Sequence, residues 1–243
     1  MFSGKIEDYI LFEDKEIIVC RKPAGIAVQN ARIGAMDLES SLKNYLAMQD
    51  GGGRRIPYLA VTHRRDQPVE GILVFGKTPE AAKSLSAQIT AGKMEKIYLA
   101  VTYGKQAEAG KKEKVLEDYL KKDGKSNTSS VVNAHTPGAK KARLSYEVLG
   151  EAVDAISGKK KWLLRIHLDT GRHHQIRVQM AHAGMPLAGD RKYGAGTNVT
   201  IGAGSLALCA ASLTFFHPVT GKVMKFVTKP EGTEFKGISI PQM

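Results

Sequence analysis

The residues best suited to do chemistry are His63, Arg64, Arg65 and Asp66, four consecutive polar side chains inside THRRDQPVEGILVFGK, residues 62–77. One carboxylate, Asp66, is set here beside two arginines. Residues 58–61 before it are strand-like. After it, Gly71 releases the chain into Ile72, Leu73, Val74 and Phe75, a short apolar run of core-strand type. A loop held by two core elements is a common way to present a reactive group. The same residues also suit a polar loop with a surface ion pair, since structural pairs perturb charges too.

A second constellation lies in residues 168–184, LDTGRHHQIRVQMAHAG. Thr170 or a neighbour is expected to cap a helix running to about Ala183, with Gly184 as its stop. Ile176, Met180 and Ala183 make its apolar stripe. Arg177 sits beside that stripe, one turn beyond His173. An arginine among core positions needs a partner, and a buried carboxylate is the best one. His173, His174 and His182 do not have the i, i+4 spacing of a helical metal pair, and no cysteine or carboxylate completes a set, so no metal is expected. The glycines at 194, 196, 202 and 204 match neither a dinucleotide fingerprint nor a P-loop, and no cofactor is expected.

The elements that must position these groups follow from periodicity and punctuation. Residues 9–20 read as two short strands around Glu13-Asp14-Lys15, and Pro23 and Gly25 punctuate a turn. A further short strand is expected at 26–28, and an amphipathic helix at 37–48 from Leu38, Leu42, Tyr45 and Leu46. Residues 50–55 form a loop whose Arg54 and Arg55 could meet phosphate or simply be solvated. Thr78-Pro79-Glu80 is a helix start, with Ala82, Leu85 and Ile89 inward and Gly92 as terminator. Residues 96–103 alternate as a strand, with Tyr98 on the face opposite Ile97, Leu99, Val101 and Tyr103. The lysine-rich stretch 105–142 is a long excursion with strands near 115–120 and 129–133. Strands at 142–149 and 161–168 pair through Ser157-Gly158. A strand pair or bulged strand is expected in 206–216, and a last strand at 223–227.

Composition sets the outer limits. The 243 residues, 42% apolar, can bury a real core. Without an evident linker or repeat, a single domain spanning 1–243 is expected. No run of about 18 apolar residues occurs, so no membrane span is expected, and the first twenty residues do not read as a signal peptide. Cys20 and Cys209 are isolated, which fits a reducing cytoplasm and argues against a disulfide scaffold. The net charge of +12 and pI near 9.6 favour an anionic partner, nucleic acid being the commonest. A solvated basic surface is the plainer alternative.

Taken together, the motifs resemble the RluA type of pseudouridine synthase. The resemblance runs from about Ile10 to Pro230. It rests on VCRKPAGIAVQ (19–29), THRRDQPVEGILVFGKT (62–78), EKIYLAVTYG (95–104), LDTGRHHQIRVQMAHAGMPLAGDRKYG (168–194) and LALCAASLTFFHP (206–218), in the family's order. Arg65 stands where the family's H-R-L-D has leucine, and Cys209 where relatives often have histidine. The resemblance implies an α+β fold, a single catalytic domain on a mixed, mainly antiparallel sheet flanked by helices and loops. Many relatives carry a small RNA-binding domain in front. None is expected here, so the core itself must recognise RNA.

The implied reaction breaks the bond between uracil N1 and ribose, turns the base and rejoins it through carbon 5. By match, Asp66 is the catalytic carboxylate, Tyr98 holds the base and takes its carbon-5 proton, and Arg177 keeps the carboxylate ionised and aimed. His63, Arg64, Arg65, Arg172 and His174 are the expected RNA-binding residues. Arg64 would fill the stack vacated by a flipped uridine or hold phosphate. The implied partner is structured ribosomal or transfer RNA, and the protein is expected to be a cytoplasmic monomer. A non-catalytic RNA-binding or ribosome-assembly protein on the same scaffold is the alternative. A DNA-binding reading finds no helix-turn-helix or zinc-finger spacing.

Overall fold

The computed structural model describes residues 2–30, 36–49, 56–104, 113–154, 157–194 and 205–242. Arg54, Arg55 and the glycines at 196, 202 and 204 lie outside them. Contacts divide the chain into two compact units, Met1–Glu95 with Ala210–Thr228, and Lys96–Cys209 with Lys229–Met243.

The first unit is a sheet covered on both faces. Its strands are β1 (Ile10–Glu13), β2 (Ile17–Lys22), β3 (Ala60–Val61), β4 (Glu70–Gly76), then β10 (Leu208–Phe216) and β11 (Val223–Val227), and its helices are α1 (Leu38–Gln49) and α2 (Pro79–Thr90). The order is β1-β2-β4-β10, with β3 added to β4 and β11 to β10. Ile18, Cys20, Leu73 and Phe75 pack with Leu38, Leu42 and Leu46 of α1. Their neighbours Ile17, Val19, Ile72 and Val74 pack with Ala81 and Leu85 of α2. Strands buried on both faces explain the unbroken apolar run of β4, all of whose residues are buried. Thr78 caps α2 by accepting from the Ala81 amide at 3.2 Å, with Pro79 at the first helical position. Ala81, rather than the expected Ala82, is the fully buried alanine of α2.

The expected strand at 26–28 does not form. The carbonyls of Ala27 and Val28 instead accept from the amides of Leu38 and Glu39, satisfying two of the donors that the first turn of α1 leaves open. Gly71 sits inside β4 with φ of +121°, where a Cβ would lie 2.4 Å from the Ala210 carbonyl oxygen. Only glycine lets β4 come that close to β10.

The second unit is an antiparallel sheet in the order β5-β9-β8-β6-β7. Its strands are β5 (Glu95–Thr102), β6 (Lys114–Asp123), β7 (Thr128–Val132), β8 (Lys140–Val153) and β9 (Lys160–Leu168). One face is covered by α3 (Gln175–His182), whose Val178 packs on Leu120 and Ala142. The other face carries paired charges: Lys141 and Arg143 meet Glu117, Arg143 also meets Asp169, and Arg165 meets Glu147. Trp162 is buried. The buried ammonium of Lys161 donates to the carbonyls of Glu234 and Lys236, tying the last segment to this unit.

Helix α3 starts four residues later than a Thr170 cap predicts, at Gln175. Thr170 is held by β8: its amide donates to the Arg143 carbonyl and its hydroxyl accepts from the Arg143 amide. Those bonds keep residues around 170 out of helical geometry, and His174 takes the cap position with a left-handed φ of 53°. Strands and helices otherwise alternate as an α+β fold on mainly antiparallel pairing, as the resemblance implies. Residues 206–216 hold one strand rather than a pair.

Candidate active site

In the first unit the loop carrying Asp66 is fastened at both ends. Strand β3 stops at Val61, and the side chains of the next two residues take over its pairing. Thr62 Oγ1 donates to the Val74 carbonyl at 3.2 Å, and His63 Nε2 accepts from the Val74 amide at 3.2 Å. Arg65 Nη2 donates to the Ile72 carbonyl at 3.4 Å. Beyond Asp66, whose own carbonyl accepts from the Val69 amide, the chain turns back toward β4.

The turn after β2 grips the other side. The Gln67 carbonyl accepts from the Gly25 amide at 2.9 Å, and Gln67 Nε2 returns a bond to the Gly25 carbonyl at 3.0 Å. Lys22 completes the clamp. Its side chain is 0% exposed, and its ammonium donates to the carbonyls of Pro23, Ile26 and Gln67 at 3.0, 2.7 and 3.0 Å. Burial lowers the Lys22 pKa to about 7. The positive Arg65 pushes it the same way, against the opposing pull of Asp66, Glu70 and Cys20. In sequence, Arg21-Lys22-Pro23-Ala24-Gly25 reads only as a turn. The signal for burial is a lysine at the end of an apolar strand, because such a residue is buried only when its head is fully bonded.

In the second unit, Arg177 is 5% exposed and makes a two-pronged bond to Asp190, Nε to Oδ2 at 2.8 Å and Nη2 to Oδ1 at 2.8 Å. The sequence calls for a buried carboxylate beside this arginine, and the structure supplies Asp190. It is 1% exposed, and its Oδ1 also accepts the amides of Lys192 and Tyr193. The Tyr193 ring lies 5.1 Å below the Arg177 guanidinium, and the Tyr193 hydroxyl meets His174 Nδ1 at 2.7 Å. These contacts leave the guanidinium little freedom to rotate. Tyr98 is 4% exposed, and its register with Ile166 and then Tyr146 puts it on the face that α3 covers.

The structure therefore places Asp66, His63, Arg64 and Arg65 in the first unit, and Tyr98, Arg172, His174 and Arg177 in the second. Arg64 and Arg172 are exposed. His63 and Arg65 turn toward β4, and His174 is buried as the cap of α3. His173 bonds Ser129 and Asn127, while His182 is exposed. An aspartate on a doubly clamped loop suits nucleophilic or general-base chemistry, and a fixed guanidinium suits charge stabilisation.

Residues 16–182 match the family model described as RNA pseudouridylate synthase. Ribosomal large subunit pseudouridine synthase D of Xanthomonas campestris pv. campestris is 29% identical over 234 residues, covering 89% of this chain and 64% of that protein. The protein of the same name in Pseudomonas aeruginosa is 32% identical over 233 residues, covering 91% of this chain and 68% of its own. The chain thus spans about two thirds of the length of these relatives. Among solved structures, human RNA pseudouridylate synthase domain containing 4 shares the fold, with a TM-score of 0.73 at 20% identity over 93% of this chain and 90% of that one. With more than half of the chain inside the family model, and the motifs of both units in the family's order, the protein belongs to the RNA pseudouridylate synthases of the RluA type.

Proposed function

We propose that this protein isomerises uridine to pseudouridine in structured RNA, with large-subunit ribosomal RNA as the substrate. The observation that carries the reading is Asp66, a carboxylate held between β4 and the Lys22 clamp in a chain of this family. The names of the relatives support the choice of ribosomal over transfer RNA. In this reading the two compact units work as a single catalytic domain. Asp66 acts at the ribose or base, as nucleophile or general base, while the N1 bond breaks; as a nucleophile it is released again when uracil carbon 5 bonds to the ribose. Tyr98 holds the freed uracil and removes the carbon-5 proton after rejoining. Arg177, fixed by Asp190 and Tyr193, stabilises the carboxylate and the charge that develops beside it. Arg64 and Arg172 reach the RNA, while His63, Arg65 and His174 hold the segments that carry them.

The test uses transcripts of ribosomal and transfer RNA labelled with tritium at uracil carbon 5. Wild-type protein is expected to release tritium from the ribosomal transcript. Asp66→Asn should abolish release and leave RNA affinity within about twofold, since the change removes a charge without removing a phosphate contact. Tight binding with no release from either transcript would instead favour an RNA-binding assembly protein. Arg64→Ala should weaken both affinity and turnover; unchanged values would remove Arg64 from the RNA surface.

A further inference from the structure

Charge is distributed unevenly over the second unit. On the open face of its sheet the cations have acidic partners: Lys141 and Arg143 with Glu117, Arg143 also with Asp169, Arg165 with Glu147. At the end of the β6–β7 hairpin the pattern changes. Lys121, Lys122 and Lys125 are all exposed there and make no ion pair among the described residues. Asp123 is the acid within this tip, and its carboxylate is taken by the turn, accepting from the Lys125 amide and the Ser126 hydroxyl. Arg172 is exposed nearby, with Nε on the carbonyl of Lys141, the residue that pairs with Tyr119 of β6.

The tip is also fixed. Asn127 Oδ1 meets His173 Nε2 at 3.1 Å, and the Asn127 carbonyl accepts from Lys192 Nζ at 2.8 Å. Ser129 Oγ meets His173 Nδ1 at 2.9 Å, and the Ser129 amide donates to the Tyr193 hydroxyl at 2.8 Å. The imidazoles of His173 and His174 stack at 3.8 Å. Asn127 and His174, the non-glycine residues with positive φ among the described residues, both belong to this cluster. Such conformations persist only where the surroundings over-determine them, and they gather at functional sites. A lysine-rich hairpin that merely aided solubility would not need its turn bonded to the segment that caps α3.

From the register, Tyr98 aligns through Ile166 and Tyr146 with Lys114, at the start of β6. The tip begins with Lys121 of that strand, about 23 Å further along. We propose that the β6–β7 tip, with Lys121, Lys122, Lys125 and Arg172, is a phosphate-binding arm that grips the RNA backbone away from the reacting uridine. The arm rests on the RNA reading above and adds to it a surface that the catalytic residues do not supply. Because the backbone of the turn is already held through Asn127 and Ser129, binding orders the lysine side chains but not the chain that carries them.

The decisive experiment measures Kd for a large-subunit ribosomal RNA transcript across a salt series, with wild type and the triple variant K121A/K122A/K125A. Loss of three phosphate contacts should weaken binding by about tenfold or more and reduce the slope of log Kd against log salt by about 2. The triple arginine variant K121R/K122R/K125R should restore both. Unchanged Kd and slope in the alanine variant, with the wild type binding and turning over the same transcript, would overturn the arm and leave the enzyme intact. A wild type that binds without releasing tritium would overturn the enzyme, while the Kd comparison would still decide the arm. Should circular dichroism show the triple variant unfolded, Lys125→Glu alone, in the exposed turn, must lower affinity for the arm to stand.

Discussion

Asp66 and Lys22 illustrate how the placement of one residue depends on another buried behind its loop. The Lys22 ammonium joins the turn after β2 to the carbonyl of Gln67, the residue that follows Asp66. Its pKa, lowered to about 7 from 10.5, makes this joint pH-sensitive. Below about pH 7 both folded and unfolded chains hold the Lys22 proton, and Lys22 adds no pH dependence to stability. Between about 7 and 10.5 the unfolded chain keeps a proton that the folded chain has lost, so stability rises with pH across that window. The urea midpoint of the wild type should therefore climb from pH 7 to pH 10 relative to Lys22→Met. Parallel curves for the two proteins would show that the lysine titrates normally. The sequence displayed Lys22 plainly but not its burial, because three backbone carbonyls from separate turns satisfy it and no local pattern records them.

Helix α3 shows the same dependence at the scale of an element. Its sequence predicts an apolar stripe and a buried arginine needing a carboxylate, and the structure contains both. The helix starts later than its sequence suggests because Thr170 looks like a cap yet is claimed by β8 through the Arg143 backbone. Asp190 is not legible as the partner of Arg177 for a related reason. It lies thirteen residues from Arg177, beyond the helix, in a loop whose amides fold back onto its own carboxylate. Removing it should leave a buried guanidinium short of its main counter-charge. Asp190→Ala is expected to destabilise the protein by about 3–5 kcal/mol in urea unfolding. A loss below about 1 kcal/mol would mean that Arg177 is held by other groups and that Asp190 is secondary.

For the whole molecule, the net charge of +12 is a statement about partners rather than fold. RNA affinity of the full chain should fall linearly on a log–log salt plot, by about 0.7–0.9 units per phosphate neutralised. Filter binding of the ribosomal transcript would measure it, and a flat plot would contradict a phosphate-tracking surface. No helix among the described residues is long and apolar enough to cross a membrane. The sequence by itself determined the family, the α+β class and most of the elements, because apolar alternation, caps and glycines act over a few residues and leave local marks. Through the family resemblance it also offered Asp66, Tyr98 and Arg177 as the candidate catalytic residues of the proposed function. Only the tertiary structure decided which cations are cancelled on the open sheet face and which, among the described residues, stand without acids at the hairpin tip. It alone paired Arg177 with Asp190 and buried Lys22 beside the Asp66 loop. Those choices depend on strand register and long-range hydrogen bonds, where residues far apart in the chain satisfy one another's charge and polarity.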